Sequence, residues 1–140
     1  MATFSKYQCF VENLAEKVHN LQSDTLKIAL TNTAPAATDT VWNTTVYPAP
    51  SNANGYTAGG NTLTVTSSAQ TSGTYKLVVS DSVFTASGGQ IGPFRYVVFY
   101  NSTASGAVIG YYDYGSSITL NDTETFTVDF DQTNGVLTIA

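Results

Sequence analysis

The stretch of sequence that decides the fold is RYVVFYNSTASGAVIGYYDY, residues 95–114. It holds two runs of β-branched and aromatic residues, 95–100 and 108–114, and the segment between them contains the turn pair Ser105-Gly106. Such residues are enriched in strands, and a short polar segment with glycine is typical of a turn. Both runs are apolar on both faces. We therefore expect two central strands, or strands of which one face meets a helix or another subunit.

Strand signals recur on both sides of this stretch. Leu26, Ile28 and Leu30 alternate with polar or small residues, which is the period of a strand with one buried face. Further strands are predicted over 41–46, 63–67, 75–80, 125–130 and 136–139, with short strands near 83–85 and 117–120. Many short strands separated by Gly and Pro predict an all-β fold, a β-sandwich or barrel of about eight to nine antiparallel strands.

Two connecting segments carry their own predictions. Asn134-Gly135 lies between the last two strand patterns and predicts the turn of a C-terminal hairpin. Residues 31–60 have few strand signals and hold three of the four prolines. We expect a long loop there, exposed to partners, with the strand at 41–46 inside it.

The N-terminal region has a helical period instead. Apolar residues recur every three or four positions: Tyr7, Phe10, Val11, Leu14, Val18 and Leu21. This stripe predicts one amphipathic helix over residues 6–19, with a capping box at Ser5 and Gln8 and a stop near Asn20. The chain is thus expected to form a single domain over 1–140, with the helical part in 1–22 and the β-sandwich in 23–140.

The composition excludes several functions. Charged residues make up 11% of the 140 residues, the net charge is −5, and the five cations are scattered, which disfavours binding to nucleic acid. No apolar run approaches the roughly 20 residues of a membrane helix, and no signal peptide is recognisable. Cys9 is the only cysteine, so no intramolecular disulfide can form. These features predict a protein that folds in a cytoplasm.

No pattern of catalytic residues is present. His19 is the only histidine, and we interpret it as a partner of the helix C-terminal dipole or as a surface residue. Cys9 lies close to the apolar stripe, where a buried and inert thiol is expected. We therefore predict a protein that is not an enzyme and has no cofactor and no catalytic residues.

Two pairs of carboxylates, Asp122/Glu124 and Asp129/Asp131, each lie on one face of an extended chain. Such pairs suit a hard cation, but the residues after Asp129 lack the glycine that an EF-hand loop needs. Alternation places Asp129 and Asp131 in solvent while Phe126, Val128 and Phe130 face the core. No metal site is predicted.

Aromatic residues are concentrated in the two central strands, at Tyr96, Phe99, Tyr100, Tyr111, Tyr112 and Tyr114. Such a concentration fills a core, forms a subunit interface, or makes a platform for carbohydrate. The sequence leaves all three interpretations open. Burial of the tyrosine hydroxyls would separate them.

Several stretches resemble a known group of proteins. They are FVENLAEKVHNL (10–21), DTLKIALTNTAP (24–35), NGYTAGG (54–60), GPFRY (92–96) and GYYDYG (110–115). With these stretches the chain resembles small proteins encoded among the structural genes of tailed bacteriophages. The resemblance covers most of the chain. It implies a structural role in the virion and supplies no catalytic residue.

The leading hypothesis is therefore a capsid decoration, or cement, protein that binds the major capsid protein and copies of itself, within a virion assembled in the host cytoplasm. Such a coat depends on many weak contacts repeated by symmetry. The residues expected at partner interfaces are Tyr7, Phe10, Leu14, Trp42, Tyr47, Tyr111 and Tyr112. The alternative is a tail or fibre module that binds host surface carbohydrate on the aromatic residues. A glycosidase-like enzyme with two carboxylates is the third hypothesis.

Overall fold

The computed structural model describes residues 2–140, which form mostly antiparallel β-strands and one short helix near the N-terminus. The predicted all-β fold is confirmed and is sandwich-like, with ten strands within residues 2–140 where about eight to nine were expected. In chain order the elements are β1 (Ser5–Lys6), α1 (Cys9–Ala15), β2 (Leu26–Thr31), β3 (Asn61–Thr62), β4 (Val65–Thr71), β5 (Thr74–Val79), β6 (Ser82–Thr85), β7 (Ile91–Asn101), β8 (Ala107–Leu120), β9 (Thr125–Val128) and β10 (Leu137–Ile139).

The strands form three sheets. The largest has the order β1-β8-β7-β2-β3, the second β10-β5-β4, and the third pairs β6 with β9. The two runs of the deciding stretch lie in β7 and β8, which pair with each other. β7 also pairs, through residues 96–101, with the whole length of β2. Both strands are interior to the five-stranded sheet, and α1 contacts β8. The expectation of central strands is confirmed.

Apolar side chains are buried on both faces of this sheet. In β2, Ile28 and Leu30 face one cluster and Ala29 faces another, and in β7 Phe99 and Val98 divide in the same way. The larger cluster joins the first face to apolar residues of the two smaller sheets, including Leu77, Val79, Phe84 and Val128. Since burial of apolar area is the main favourable term in folding, this contact between sheets holds the sandwich together.

The segment 32–60 helps to cover the other face of the five-stranded sheet. Trp42, Val46 and Tyr47 of this segment pack in the smaller cluster. The segment is a long loop, as predicted, but the strand expected at 41–46 is wrong, because only the single bridge Val41↔Ala107 forms. Asn43 accounts for this: its side chain accepts the N–H groups of Thr45 and Val46 at 2.9 Å, which coils the chain into a turn.

The helix is shorter than predicted at its N-terminal end. It begins at Cys9, and Gln8 at the N-cap position makes no capping hydrogen bond through its side chain. The predicted capping box is therefore wrong. Ser5 is extended instead, because β1 pairs with Tyr111 and Gly110 of β8.

The helix also ends early, at Ala15 rather than near Asn20. Lys17 adopts a left-handed conformation with φ of 67°, and the N–H of Val18 donates to the carbonyl of Asn13 at 2.8 Å. These are the features of a Schellman termination with a lysine in place of glycine. The apolar period continued beyond this point because Leu21 reaches the core from a separate turn.

The predicted C-terminal hairpin is also wrong. β9 pairs with β6, whereas β10 pairs with β5, so the two strands belong to different sheets. Asp131 redirects the chain: its carboxylate accepts the N–H groups of Thr133 and Asn134, and Gly135 continues with φ of 80°. The N–H of Val136 then donates to the carbonyl of Leu77.

Candidate functional site

A cleft with a volume of about 320 Å³ opens between β8, β9 and the residues that follow β9. Its walls are mainly aromatic, and we call it the aromatic cleft. The aromatic residues that line it are Phe4, Tyr112, Tyr114, Phe126 and Phe130, and Asp129 and Asp131 also line it. Its volume is at the lower end of the range for small-molecule sites.

A β-bulge brings Tyr112 to the cleft. Phe99 pairs with Gly110 while Tyr100 pairs with Val108, so Ile109 is an extra residue in β8. Beyond this bulge, Tyr112 packs against the larger apolar cluster and the preceding tyrosine, Tyr111, packs against the smaller one on the opposite face. The two adjacent tyrosines therefore serve different surfaces.

Phe4 forms another wall because Gly110 leaves room for it. A Cβ atom on Gly110 would lie 2.2 Å from carbon atoms of the Phe4 ring. The pairing of β1 with β8 holds the N-terminal segment in this position, and the Phe4 and Tyr112 rings meet edge to face with centroids 5.6 Å apart. The cleft thus depends on a glycine and on the short strand β1.

The remaining rings contact one another in the same edge-to-face manner. The centroids of Tyr112 and Phe130 are 6.1 Å apart, and those of Tyr114 and Phe126 are 5.7 Å apart. Phe130 is buried, whereas Tyr114 is 54% exposed. Edge-to-face contacts between aromatic rings are energetically favourable, so they stabilise the walls of the cleft. The cleft stays open to solvent on the side of Tyr114.

Two polar groups of the cleft have no hydrogen-bonding partner within residues 2–140. Asp129 is exposed, and neither its carboxylate nor the Tyr112 hydroxyl takes part in a hydrogen bond within residues 2–140. Burial raises the pKa of Tyr112 to about 12. Hydrogen bonds from the backbone and side chain of Asn134 and from the Thr133 backbone lower the pKa of Asp131. At neutral pH the cleft therefore offers the ionised carboxylate of Asp131 and the phenolic hydroxyl of Tyr112.

This combination of groups determines what the cleft can bind. Aromatic walls contact the C–H face of a flat or cyclic molecule, and the few polar groups at the edge fix its orientation. A sugar ring has both an apolar face and hydroxyl donors for the carboxylates.

The aromatic concentration expected from the sequence divides between core and cleft. Phe99 and Tyr100 are buried, and Tyr100 donates from its hydroxyl to the Gly59 carbonyl at 2.7 Å and stacks on Trp42 at 4.5 Å. The core interpretation is correct for these two. It does not account for Tyr112 and Tyr114, which line the cleft.

The seven residues predicted at partner interfaces fall into two groups. Three are buried within the subunit: Tyr7 (0% exposed), Phe10 (4%) and Tyr47 (1%). Because they form the core, they do not reach a partner in the folded subunit, which corrects the prediction. The other four are half-buried and accessible in part: Leu14, Trp42, Tyr111 and Tyr112.

The buried tyrosines form a hydrogen-bonded chain. The hydroxyl groups of Tyr7 and Tyr47 lie 3.0 Å apart, and Tyr47 donates to the carboxylate of Asp39 at 2.5 Å. Burial raises the pKa of both tyrosines, so both stay protonated over the whole ordinary pH range. The chain of bonds joins the start of the helical region to the segment 32–60.

The sequence predicted His19 to be a partner of the helix dipole or a surface residue, and both interpretations are wrong. The helix ends four positions before it, and the imidazole is buried with Nδ1 3.1 Å from the side-chain nitrogen of Asn101. Burial lowers the pKa of His19, although the nearby Asp24 acts in the opposite direction. The neutral ring contacts Phe10 at 5.4 Å between centroids, which makes it part of the core.

The thiol of Cys9 and the first carboxylate pair, Asp122/Glu124, take part in local packing and in turn hydrogen bonds. Cys9 is half-buried, and burial raises the pKa of its thiol, which disfavours the reactive thiolate. Asp122 accepts the N–H of Gly88 at 2.7 Å, and Glu124 accepts that of Asn121 at 2.7 Å. Within residues 2–140, no group of three or more His, Cys, Asp or Glu side chains is arranged to hold a metal ion.

The cleft contains residues that sequence reasoning did not assign to a site. Phe4 had no signal, because its place depends on the pairing of β1 with β8. Phe126 and Phe130 were expected in the core from their alternation, and only the arrangement of β9 places them beside Tyr112 and Tyr114.

Comparison with known proteins gives no relative: no family model, no curated protein and no solved structure matches the chain. In the part of the chain that the structure describes, no helix has the length and apolar character needed to cross a membrane.

Proposed function

We propose that this chain is a structural virion protein of a tailed bacteriophage, a capsid decoration protein that binds the major capsid protein and copies of itself. The observation that carries the proposal is the nature of the surface. Charged residues are 11% of the chain, and the described residues form one ion pair, between Arg95 and Asp113. A surface of hydroxyls and amides has few long side chains to immobilise, so repeated contacts cost little entropy. The resemblance of the sequence to phage structural proteins supports the same role.

The helix and the segment 32–60 are the surfaces that we assign to the shell. Val11 on α1 is 52% exposed, whereas Phe10 on the same helix is buried in the core. Leu14 on the same helix is half-buried, and so is Trp42 in the segment 32–60. Burial of such partly accessible apolar side chains against a partner makes the free energy of binding more favourable. In this role the protein resides in the virion and needs neither nucleic acid nor membrane.

The proposal predicts that Val11→Glu abolishes binding to capsid shells. The matched control is Val83→Glu on β6, since Val83 is 50% exposed and the same charge is added. Shells of a phage that encodes the chain, prepared without it, would be mixed with each purified variant and the bound copies counted after sedimentation. We expect hundreds of copies per shell for the wild type and for Val83→Glu. If Val11→Glu bound equally well, the helix would not be the contact, and absence of wild-type binding would reject the decoration role.

The aromatic cleft favours a second candidate, a tail or fibre module that binds host surface carbohydrate. Tyr112 and Tyr111 provide a matched pair of positions, because the bulge places only Tyr112 in the cleft. We expect Tyr112→Leu to weaken glycan binding at least about ten-fold, as for a central interface aromatic, and Tyr111→Leu to preserve it. A glycan array followed by calorimetry measures both. Equal losses for the two variants, with unchanged melting temperatures, would show that the cleft is not the glycan site.

A further inference from the structure

The strand β4 is an outer strand of the sheet β10-β5-β4, and its outer edge is open. Its seven residues, VTSSAQT, are exposed or half-buried. It pairs with β5 through a tight turn at Ser72-Gly73, both of which have positive φ. No other backbone hydrogen bond within residues 2–140 involves residues 65–71.

The register shows which backbone groups of β4 face outward. Thr71 pairs with Thr74 across the two-residue turn, so these two exchange hydrogen bonds, as residues flanking such turns do. The pattern alternates along the strand, and Ser67 and Ala69 therefore also bond to β5. Ser68 and Gln70 direct their N–H and C=O groups away from β5. These groups form a row of donors and acceptors that have no backbone partner within residues 2–140.

The edge of β4 lacks the features by which proteins usually prevent strand pairing. It has no charged residue, no proline and no glycine, and its one bulge lies at its start, between Val65 and Ser67. The outer strands β1, β3 and β10 have only two or three residues each. The edge of β8 is covered by β1 at Gly110 and Tyr111, and farther along it carries Asp113 and the left-handed Gly115.

We propose that two copies of this chain pair through β4, edge to edge and antiparallel, so that their three-stranded sheets become one continuous sheet. The occupant is a second copy because an antiparallel strand is its own complement: with Ala69 opposite Ala69, Ser68 and Gln70 of one copy exchange hydrogen bonds with Gln70 and Ser68 of the other. The strand has no charged residue, so no like charges of the two β4 strands lie opposite each other at the contact. The inference rests on the proposed function in that it names the surface by which copies meet.

The test combines hydrogen exchange with sedimentation of the purified full chain. Amide protons of Ser68 and Gln70 are expected to exchange fast at low concentration and to become protected as concentration rises. Those of Ser67 and Ala69 are bonded to β5 and should be protected throughout. If the Ser68 and Gln70 amides exchanged at the same rate at every concentration, the proposal would be overturned.

A charge variant identifies the contact. Ala69→Glu lies opposite Lys76 of β5, which favours it within the subunit, but pairing of two copies would place the two glutamates directly opposite each other. We expect self-association to weaken at least about five-fold, with an unchanged melting temperature. The control is Ser116→Glu, which adds the same charge at an exposed position of β8. Equal self-association of wild type and Ala69→Glu would reject the contact.

The outcomes separate this inference from the decoration role. Self-association through β4 without binding to shells would sink the decoration role and leave the pairing in place. Binding to shells, with Ser68 and Gln70 protected only when shells are present, would mean that a strand of the capsid protein occupies the edge, and the pairing of two copies would be rejected.

Discussion

Replacing Gly60 with alanine is expected to cost more than about 3 kcal/mol of folding free energy, a loss typical of severe strain at a special backbone position. Gly60 has φ of +73°, and a Cβ atom there would lie 1.8 Å from the carbonyl oxygen of Ile28 and 2.7 Å from the Cα of Ala29. Both atoms belong to the backbone of β2, which is fixed by its pairing with β7 over Leu26–Thr31. The clash cannot be relieved by rotating a side chain.

Gly73 is the control for this prediction. It also has positive φ, +83°, but nothing lies within 4 Å of a Cβ atom placed there. Gly73→Ala should therefore cost only the left-handed conformation, about 1 kcal/mol. Urea denaturation of the two variants measures the difference. Equal losses would mean that conformation alone, and not the close approach to β2, requires glycine at position 60.

Tyr47→Phe is expected to destabilise the protein by about 2 kcal/mol, because it leaves buried polar groups without partners. Tyr7 is fully buried and its hydroxyl has one hydrogen-bonding partner within residues 2–140, the Tyr47 hydroxyl. The same change removes the hydrogen bond to the Asp39 carboxylate. The cavity is almost unchanged, so the loss reports the hydrogen bonds.

A double variant tests this explanation. Removing the Tyr7 hydroxyl as well leaves no unpaired group at that position, so Tyr7→Phe combined with Tyr47→Phe should cost about 1 kcal/mol less than the sum of the single changes. Tyr75→Phe is a control, because its hydroxyl bonds to Ser68 in a half-buried position. Chemical denaturation gives all four values. Strict additivity would show that the two hydroxyls do not depend on each other.

Strands with a clear apolar period were predictable, whereas features that depend on distant pairing were not. The alternation of Leu26, Ile28 and Leu30 predicted β2 within one residue of its ends, because this period is a local property of the chain. The single buried face that it also predicted is wrong: Ala29 and Thr31 are buried too, because the segment 32–60 covers the other face. The helix was overextended because Leu21 has the right spacing yet packs from a turn. The C-terminal hairpin failed because Asn134-Gly135 fits a tight turn, but Asp131 hydrogen bonds lead the chain to β5.

The candidate site was accessible to sequence reasoning only in part. The aromatic concentration and the exposure of Asp129 and Asp131 follow from composition and alternation. Which of the tyrosines face the cleft does not, because strict alternation assumes that no residue is added to the strand. The bulge at Ile109 breaks that assumption, and it is set by the pairing of β8 with β7.

The same extra residue has an evolutionary consequence. Because Ile109 is the extra residue of the bulge, deleting its codon would join Val108 to Gly110 and leave the pairing of β8 with β7 in one unbroken register there. Tyr111 and Tyr112 would then keep the faces that they have now. A descendant lineage that lost this codon would therefore lose one buried side chain, but it would keep both tyrosines in place and the pairing of the sheet continuous.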